Sequence, residues 1–312
     1  METSVPVRVS VAGAGPKLTT VSLRTNPIFP GRTRSATPFA VVATETNGMR
    51  LVVALFATIL GLLGGTPAPA APARPGITVM TFNTCGNVCW HGEITRTTTN
   101  IAYQIRARRV SVAMLQELCY SQFLGVRDRL ARYGYSSIFA TAVTGGHCAD
   151  HDRKHGKAFG LALFARGSLT GGVAHRLVSP SPVSPEGRMV LGATVHLPGR
   201  TVFAVTTHTS PSGPNLAKQM IALDRWLSPL AATRPVLFGG DLNSQPQSSA
   251  LDAFYAQFDE ANGRRFGAIP TFRPNGTKID YLFGSRGFLA NRTASTACAR
   301  WSDHCMYIGG FR

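Results

Sequence analysis

The stretch Val236-Leu-Phe-Gly-Gly-Asp-Leu-Asn243 is the most informative segment of the sequence. Its apolar start, Val236–Phe238, predicts a short buried strand, and Asp241-x-Asn243 follows after two glycines. An Asp-x-Asn sequence after a strand is commonly ordinary turn chemistry. In an α/β domain, however, functional side chains collect where strands end and loops begin. The segment therefore predicts a buried strand that carries candidate site residues at its end.

The surrounding sequence alternates between strand-like and helix-like segments. Apolar and β-branched runs predict strands over Ile77–Phe82, Val112–Leu115, Phe159–Phe164, Met189–Val195, Val202–Thr207, Val236–Phe238 and Ile279–Phe283. Helical periodicity predicts helices over Thr95–Arg109, Ser121–Arg132 and Asn215–Leu230. Residues 74–312 contain neither an internal repeat nor a linker-like stretch. We expect one α/β domain with substantial β-sheet.

Polar residues stand at several of these strand ends, and together they supply the parts of a hydrolytic site. Hard oxygen ligands for Mg²⁺ or Mn²⁺ are available from Glu117, Asp241 and Asp303. General acid and base groups are available from His208 and His304. Donors to phosphate oxygens are available from Asn83, Asn243 and Arg188. Each residue alone is an ordinary cap or turn residue, but the set matches what water needs to attack a phosphodiester.

The composition excludes several classes of protein. Hydrophobic residues make up 44% of the 312 residues and charged residues 15%, which excludes a disordered chain. Lys and Arg exceed Asp and Glu by 17 over the whole sequence, and by 26 to 13 from residue 74 onward. Such a basic protein commonly meets a polyanion, namely nucleic acid, an anionic membrane or an acidic polymer. A solubility charge or an arginine-favouring genome would give the same composition.

The N-terminal residues have the pattern of an export signal. Met49-Arg50 precedes the apolar run Leu51–Leu63, and small residues follow up to Ala73. This is the pattern of a secretory signal peptide over 49–73, with an uncleaved anchor as the alternative. Residues 1–48 are then a disordered leader or an upstream extension before the true start at Met49. The mature, secreted domain is expected to be 74–312, without a stable membrane partner after cleavage.

All six cysteines lie in the expected mature domain. An even number of cysteines behind a signal peptide indicates disulfides, whereas a zinc site is disfavoured because there is no CxxC pair. Six cysteines allow 15 pairings. We expect the local ones, Cys85–Cys89, Cys119–Cys148 and Cys298–Cys305.

The ordered series of motifs resembles the endonuclease/exonuclease/phosphatase superfamily, with the deoxyribonuclease I-like fold. The resemblance covers residues 77–307 and rests on Thr81-Phe82-Asn83, Gln116-Glu117, Gly160–Arg166, Glu186-Gly-Arg188, Thr207–Pro211, Gly240-Asp241-Leu-Asn243, Ile279-Asp280-Tyr281 and Ser302-Asp303-His304. The resemblance implies a four-layer α/β sandwich, in which two facing mixed β-sheets are flanked by helices.

The resemblance also implies roles for individual residues. Glu117 would hold a divalent metal (Mg²⁺, or Mn²⁺ or Ca²⁺), with Asn83 beside it and Asp303 completing the site. Asp241 would orient or deprotonate the attacking water. His304 would contact the phosphate and move a proton, held in its tautomer by Asp280. His208 would be the opposite acid/base partner. Arg188 and Asn243 would contact the phosphate.

The function expected from these features is metal-dependent hydrolysis of phosphodiester bonds by a secreted protein. The expected enzyme is a monomeric nuclease that acts on DNA and also on RNA. The basic loop with Arg153, Lys154 and Lys157 would face that substrate, and its histidines offer a second metal site as the alternative. Two other functions stay open. One is a phospholipid phosphodiesterase of the sphingomyelinase kind, or a phosphatase, on the same fold. The other is an inactive binding scaffold.

Overall fold

Two mixed β-sheets face each other at the centre of the computed structural model, which describes residues 10–12, 76–177 and 187–312. The first sheet has the order β1-β4-β5-β3-β2-β13-β12. Its strands are β1 (Ser10–Ala12), β2 (Ile77–Asn83), β3 (Val112–Cys119), β4 (Tyr135–Thr144), β5 (Ala158–Arg166), β12 (Asn291–Cys298) and β13 (Cys305–Phe311). The pair β2–β3 is parallel and the other pairs of this sheet are antiparallel.

The second sheet has the order β10-β11-β9-β8-β7-β6. Its strands are β6 (Ser168–Arg176), β7 (Met189–Leu197), β8 (Arg200–His208), β9 (Val236–Asp241), β10 (Phe258–Glu260) and β11 (Asp280–Ser285). Only β8–β9 is parallel among its pairs in the described residues. The helices are α1 (Thr95–Ala107), α2 (Tyr120–Ala131), α3 (Pro214–Ala231) and α4 (Asp252–Gln257), with a 3₁₀ turn at Ser249–Leu251.

Three apolar clusters create four layers. The central cluster lies between the sheets, where Met114 and Leu163 of the first sheet meet Leu191 and Leu237 of the second. A second cluster packs α1 and α2 on the outer face of the first sheet. A third packs α3 and α4 on the outer face of the second sheet. The expected four-layer α/β sandwich is therefore confirmed.

Local sequence explains where two of the helices begin. Glu93 precedes α1, and its carboxylate accepts hydrogen bonds from the backbone N–H groups of Arg96 and Thr97. It satisfies donors that a helix N-terminus otherwise leaves unpaired. Pro214 occupies the first turn of α3, where its missing N–H costs nothing.

Several boundaries differ from those expected from sequence. The expected helix over Thr95–Arg109 ends two residues earlier, at Ala107, where the chain turns and Arg109 adopts a positive φ of 51°. The strand expected over Val112–Leu115 continues to Cys119, because a bulge between Leu115 and Leu118 lets the pairing with β5 resume. That bulge carries Glu117, so the strand end that was expected to hold the site is in fact an irregularity within the strand.

The expected leader and signal peptide, residues 1–48 and 49–73, lie outside the described residues apart from β1, which pairs antiparallel with β4. Glu186 of the Glu186-Gly-Arg188 motif also lies outside them. Within the described ranges, no helix has the length and apolar character needed to span a membrane.

Candidate active site

The strand arrangement brings the candidate residues to one edge of the two sheets. Asn83 ends β2, and its parallel neighbour β3 carries Gln116 at the paired position. In the second sheet, His208 ends β8 directly beside Asp241 at the end of β9. Asp280 begins β11 opposite Asp241, since that pair of strands is antiparallel. The two parallel pairs therefore present their carboxyl ends on the same side, as expected for an α/β site.

Asn83 links two carboxylates that come from different sheets. Its Nδ2 donates to Glu117 Oε1 at 2.9 Å and to Asp241 Oδ2 at 3.0 Å. Its Oδ1 accepts a hydrogen bond from the backbone N–H of Cys85 at 3.0 Å. The amide therefore turns its nitrogen toward the site and its oxygen away from it. In this geometry Asn83 positions Glu117 and Asp241 through its amide nitrogen.

Unusual backbone conformations aim these side chains. Glu117 has φ 53° at the bulge of β3, and Asn243 has φ 47° after β9. Such conformations are uncommon in residues other than glycine and concentrate at functional sites. Gly240 has φ 146°, and a Cβ there would overlap the carbonyl oxygen of Thr207 on the parallel neighbour β8. The glycine before Asp241 is thus required by the close approach of these two strands.

His304, Asp280 and Asp241 form a buried row with one hydrogen bond and one longer ion-pair contact. His304 Nδ1 lies 2.8 Å from Asp280 Oδ2, and His304 Nε2 lies 3.6 Å from Asp241 Oδ2. Burial disfavours the charged imidazole, but the charge and hydrogen bond of Asp280, and then the charge of Asp241, outweigh it and raise the pKa of His304 to about 10. Burial, reinforced by the charge of Asp280, raises the pKa of Asp241 to about 6. His304 is therefore a proton donor at neutral pH.

His208 approaches the same Asp241 oxygen as His304 but is in the opposite protonation state. Arg188 Nη1 lies 2.7 Å from His208 Nδ1, and a guanidinium can only donate, so Nδ1 is the acceptor and Nε2 carries the proton. Nε2 lies 3.4 Å from Asp241 Oδ2 and 3.9 Å from Glu117 Oε1. Burial, followed by the charge of Arg188, lowers the pKa of His208 well below its ordinary value. His208 is therefore neutral and carries its proton on Nε2, which faces the two carboxylates.

Asn243 and Asp303 stand at the margin of this group. Asn243 donates its backbone N–H to Asp241 Oδ1 at 2.9 Å and its Nδ2 to the carbonyl oxygen of Thr209 at 2.8 Å. The carboxylate of Asp303 lies 3.5 Å from Ser302 Oγ. It lies near the sulfurs of Cys85 and Cys89, but these form a disulfide and cannot serve as thiolate ligands.

Seven of the residues chosen from sequence therefore converge at one edge. They are Asn83, Glu117, Arg188, His208, Asp241, Asp280 and His304. The six cysteines form three disulfides: Cys85–Cys89, Cys119–Cys148 and Cys298–Cys305. The first lies two residues beyond Asn83, and the third brackets the Ser302-Asp303-His304 motif.

Sequence reasoning missed the supports beneath the site. Gln116 Nε2 donates across to the second sheet at Thr206 Oγ1, at 2.8 Å, and within its own sheet to Thr81 Oγ1, at 3.1 Å. Lys278 is buried, and its Nζ donates to the carbonyl oxygen of Asp280 at 2.9 Å. The Gln116-Glu117 motif gives no sign of what the Gln116 side chain contacts, and a lysine beside a motif gives little signal by pattern alone. Both contacts depend on neighbours that are remote in sequence or on burial that only the tertiary structure creates.

The donor chemistry of the site fits a hard divalent cation. Glu117 keeps 18% of its side chain exposed, whereas Asp241 keeps 2%, so Glu117 can reach both an ion and solvent. Asp241, Asp280 and His304 also place three donor atoms within 4.8 Å of one another and could hold a metal. Asp280 Oδ1 there is buried with no hydrogen-bond partner in the part of the chain described. Because Mg²⁺ usually retains several waters, the more open Glu117 side suits it better than this enclosed group.

The motifs and this geometry agree with comparisons to known proteins. The family model described as the endonuclease/exonuclease/phosphatase family matches residues 80–304, and the chain belongs to that family. Members of this family hydrolyse phosphoester bonds and generally use a divalent metal. Comparison with curated protein sequences returns no match.

Solved structures with the same fold come from distant relatives. The catalytic domain of human Nocturnin with bound sulfate is 21% identical, with a TM-score of 0.62 over 76% of this chain and 93% of that chain. An endonuclease/exonuclease/phosphatase from Beutenbergia cavernae is 21% identical, with a TM-score of 0.61 over 77% and 72%. The mannosyl-6-phosphatase Bt3783 of Bacteroides thetaiotaomicron is 16% identical, with a TM-score of 0.56 over 76% and 99%. At these identities the similarity establishes the fold alone.

Proposed function

We propose that the protein is a secreted, monomeric, divalent-metal-dependent phosphodiesterase, and that its substrate is nucleic acid. The observation that carries the proposal is that Asp241 Oδ2 faces two imidazoles in opposite protonation states. His304 is a proton donor held by Asp280, and His208 is neutral and held by Arg188. Environments that push the pKa values of neighbouring groups apart assign acid and base roles. Three disulfides are compatible with an extracellular protein.

Each group in this arrangement has a defined task in hydrolysis. Asp241 orients the attacking water and accepts its proton, while Asn243 fixes the other carboxylate oxygen. His304 gives its Nε2 proton to the leaving alcohol, so that the diester and water become a monoester and a free hydroxyl. His208 donates its Nε2–H as a hydrogen bond without losing the proton, because loss would leave an imidazolate beside two carboxylates.

Glu117 is the residue proposed to hold the metal, with Asp303 at the margin of the site as a second carboxylate. A bound divalent cation would supply Lewis-acid stabilisation of the charge that develops on the phosphate. Asn83 keeps Glu117 next to Asp241, so that the ion-binding and water-orienting groups stay in fixed relation. Preorganisation of this kind provides much of the rate enhancement in hydrolytic enzymes.

The basic composition favours nucleic acid over the other phosphoester substrates. Residues 74–312 contain twice as many Lys and Arg as Asp and Glu, 26 against 13. The loop over residues 145–157 adds Arg153 and Lys157, which are both exposed. A positive field of this kind concentrates polyanions and makes their binding sensitive to salt. A small sugar phosphate gains much less from such a field.

A comparison of substrates tests the proposal. The oxidised protein is incubated with circular plasmid DNA, single-stranded RNA, sphingomyelin vesicles and a hexose 6-phosphate at equal metal concentration, beside its Asp241→Asn variant. We expect cleavage of the nucleic acids at a rate at least about 10²-fold above that of the variant, and a rate that falls as salt rises. Hydrolysis of sphingomyelin or the sugar phosphate with intact nucleic acid would instead assign one of those substrates. A well-folded protein that is inert toward all four would indicate an inactive scaffold.

A further inference from the structure

A cleft of about 360 Å³ opens next to the catalytic edge. We call it the tryptophan cleft, and it is lined by Cys89, Trp90, Arg273, Pro274, Arg300, Trp301, Ser302 and Asp303. Ligand pockets for small molecules begin at about 300 Å³, so the cleft is large enough for one nucleotide-sized group. Its lining combines two indole rings with two guanidinium groups.

The wall of the tryptophan cleft is continuous with the active site. Ser302 Oγ donates to the carbonyl oxygen of Asn83 at 2.8 Å and accepts from the backbone N–H of His304 at 3.0 Å. One serine thus touches the backbone of two site residues while lining the cleft. A substrate whose phosphate lies at His304 would place the adjoining part of its chain in or next to the cleft.

Covalent and hydrogen-bonded contacts hold the cleft open. The Cys85–Cys89 disulfide fixes one rim, and Cys298–Cys305 closes the loop that carries Arg300 and Trp301. Arg273 Nη1 donates to two carbonyl oxygens of that loop, at Ala299 and Ser302. Trp301 also packs against the apolar cluster beneath α1 and α2. A preformed cleft lowers the entropic cost of binding a ligand.

The chemistry of the lining points to a nucleobase. Indole rings bind bases by stacking, which does not depend on the identity of the base. Exposed Arg300 can pair with a phosphate oxygen or stack on a planar ring. Arg273 is occupied by the carbonyl contacts, so Arg300 is the lining residue suited to this task. A lipid headgroup would pair with the Arg300 guanidinium but would offer no planar group to the two indole rings.

We propose that the tryptophan cleft binds the nucleotide adjoining the scissile phosphate, with its base on Trp90 and Trp301 and its distal phosphate at Arg300. The proposal rests on the proposed nucleic-acid substrate and adds a subsite to it. Trp90, Trp301 and Arg300 would therefore determine specificity for substrates that carry a base next to the cleaved bond. They do not take part in proton transfer.

Binding of adenosine 5′-monophosphate (AMP) tests this subsite without turnover. Isothermal titration calorimetry is performed on the full chain with Asp241→Asn, using AMP and ribose 5-phosphate as ligands. We expect AMP to bind at least about 5-fold more tightly than ribose 5-phosphate, and Trp301→Ala to weaken AMP binding by about 5- to 150-fold. Trp301→Phe should retain most of the affinity. The matched control is Trp226→Phe, since Trp226 lies on α3 against Phe203 and His175, remote from the cleft.

Two further variants test whether a loss of AMP binding in Trp301→Ala reflects the cleft or a loss of folding. Trp90→Ala and Arg300→Gln change the more accessible rims, and each should weaken AMP binding while leaving the unfolding temperature within a few degrees. Equal affinity for AMP and ribose 5-phosphate, or AMP binding unchanged in all three cleft variants, would overturn the subsite. Nucleic-acid cleavage with unaltered KM in those variants would do the same while leaving the proposed function intact. AMP binding that depends on Trp301, in a protein that cleaves no nucleic acid, would support the cleft and contradict the proposed function.

Discussion

Replacement of Asp280 by asparagine is expected to lower kcat by about 10³- to 10⁴-fold, with KM changed only a few-fold. Asp280 Oδ2 holds His304 Nδ1 at 2.8 Å, which directs the Nε2 proton toward Asp241 and the substrate phosphate. Asparagine removes the negative charge that raises the pKa of His304 and so favours the neutral ring, which could give up its Nε2 proton only by becoming an imidazolate. Steady-state kinetics on a phosphodiester substrate at saturating metal separates kcat from KM and measures the effect.

Two comparisons distinguish loss of positioning from loss of structure. Asp224→Asn is the matched control, because Asp224 accepts hydrogen bonds from Ser228 and Gln257 on the far side of the second sheet. It should leave kcat within about 2-fold, as expected for a surface substitution. His304→Gln combined with Asp280→Asn should be no slower than His304→Gln alone, since groups that act as a unit are non-additive. Fully additive losses would show that Asp280 does not act through His304.

The substitution Lys278→Met is expected to destabilise the protein by about 3–5 kcal/mol. Lys278 Nζ lies 3.3 Å from Glu260 Oε1, both side chains are 1% exposed, and the ammonium lies 3.5 Å from the centre of the Tyr307 ring. Tyr307 Oη also donates to Glu260 Oε1 at 2.7 Å. Removal of the lysine leaves a buried carboxylate without its counter-charge. Chemical denaturation with the disulfides intact measures the loss.

The double variant Lys278→Met/Glu260→Gln isolates the reason for that loss. If the cost comes from an uncompensated charge, the second substitution should recover at least half of the stability, because the amide oxygen can accept from the backbone N–H of Asn262 while its NH2 group donates to Tyr307 Oη. If the cost comes from lost packing or cation–π contact, the double variant will be no more stable than Lys278→Met. That result would contradict the electrostatic explanation.

Much of the fold follows from local patterns because its central strands are apolar and buried. The strands around Val79, Leu163 and Leu237 are buried on both faces, and continuous apolar runs identify them. The strands β6 and β12 were not predicted from the sequence, because they lie at the edges of their sheets and keep many exposed polar residues, as in Asn291–Cys298. β13 was not predicted either, since its two adjacent glycines weaken any strand pattern.

The candidate site was predictable as a list of residues but not as a set of contacts. Asp241 stands out because acidic residues are scarce, and both Asp241 and His304 lie in motifs that follow one another in the family's order. The opposite protonation states of His208 and His304 could not be predicted, because Arg188 and Asp280 approach them only through tertiary structure. The orientation of the Asn83 amide likewise depends on the backbone N–H of Cys85.

The most direct test of phosphodiester hydrolysis at this site is metal-dependent cleavage of circular plasmid DNA by the oxidised protein, with Mg²⁺ and then with excess EDTA, beside His304→Ala. The account predicts nicked and linear products with Mg²⁺, and intact plasmid both in EDTA and with His304→Ala, while the unfolding temperature of the variant remains within a few degrees of the parent. Cleavage that persists in EDTA or in folded His304→Ala would contradict the assignment of this site.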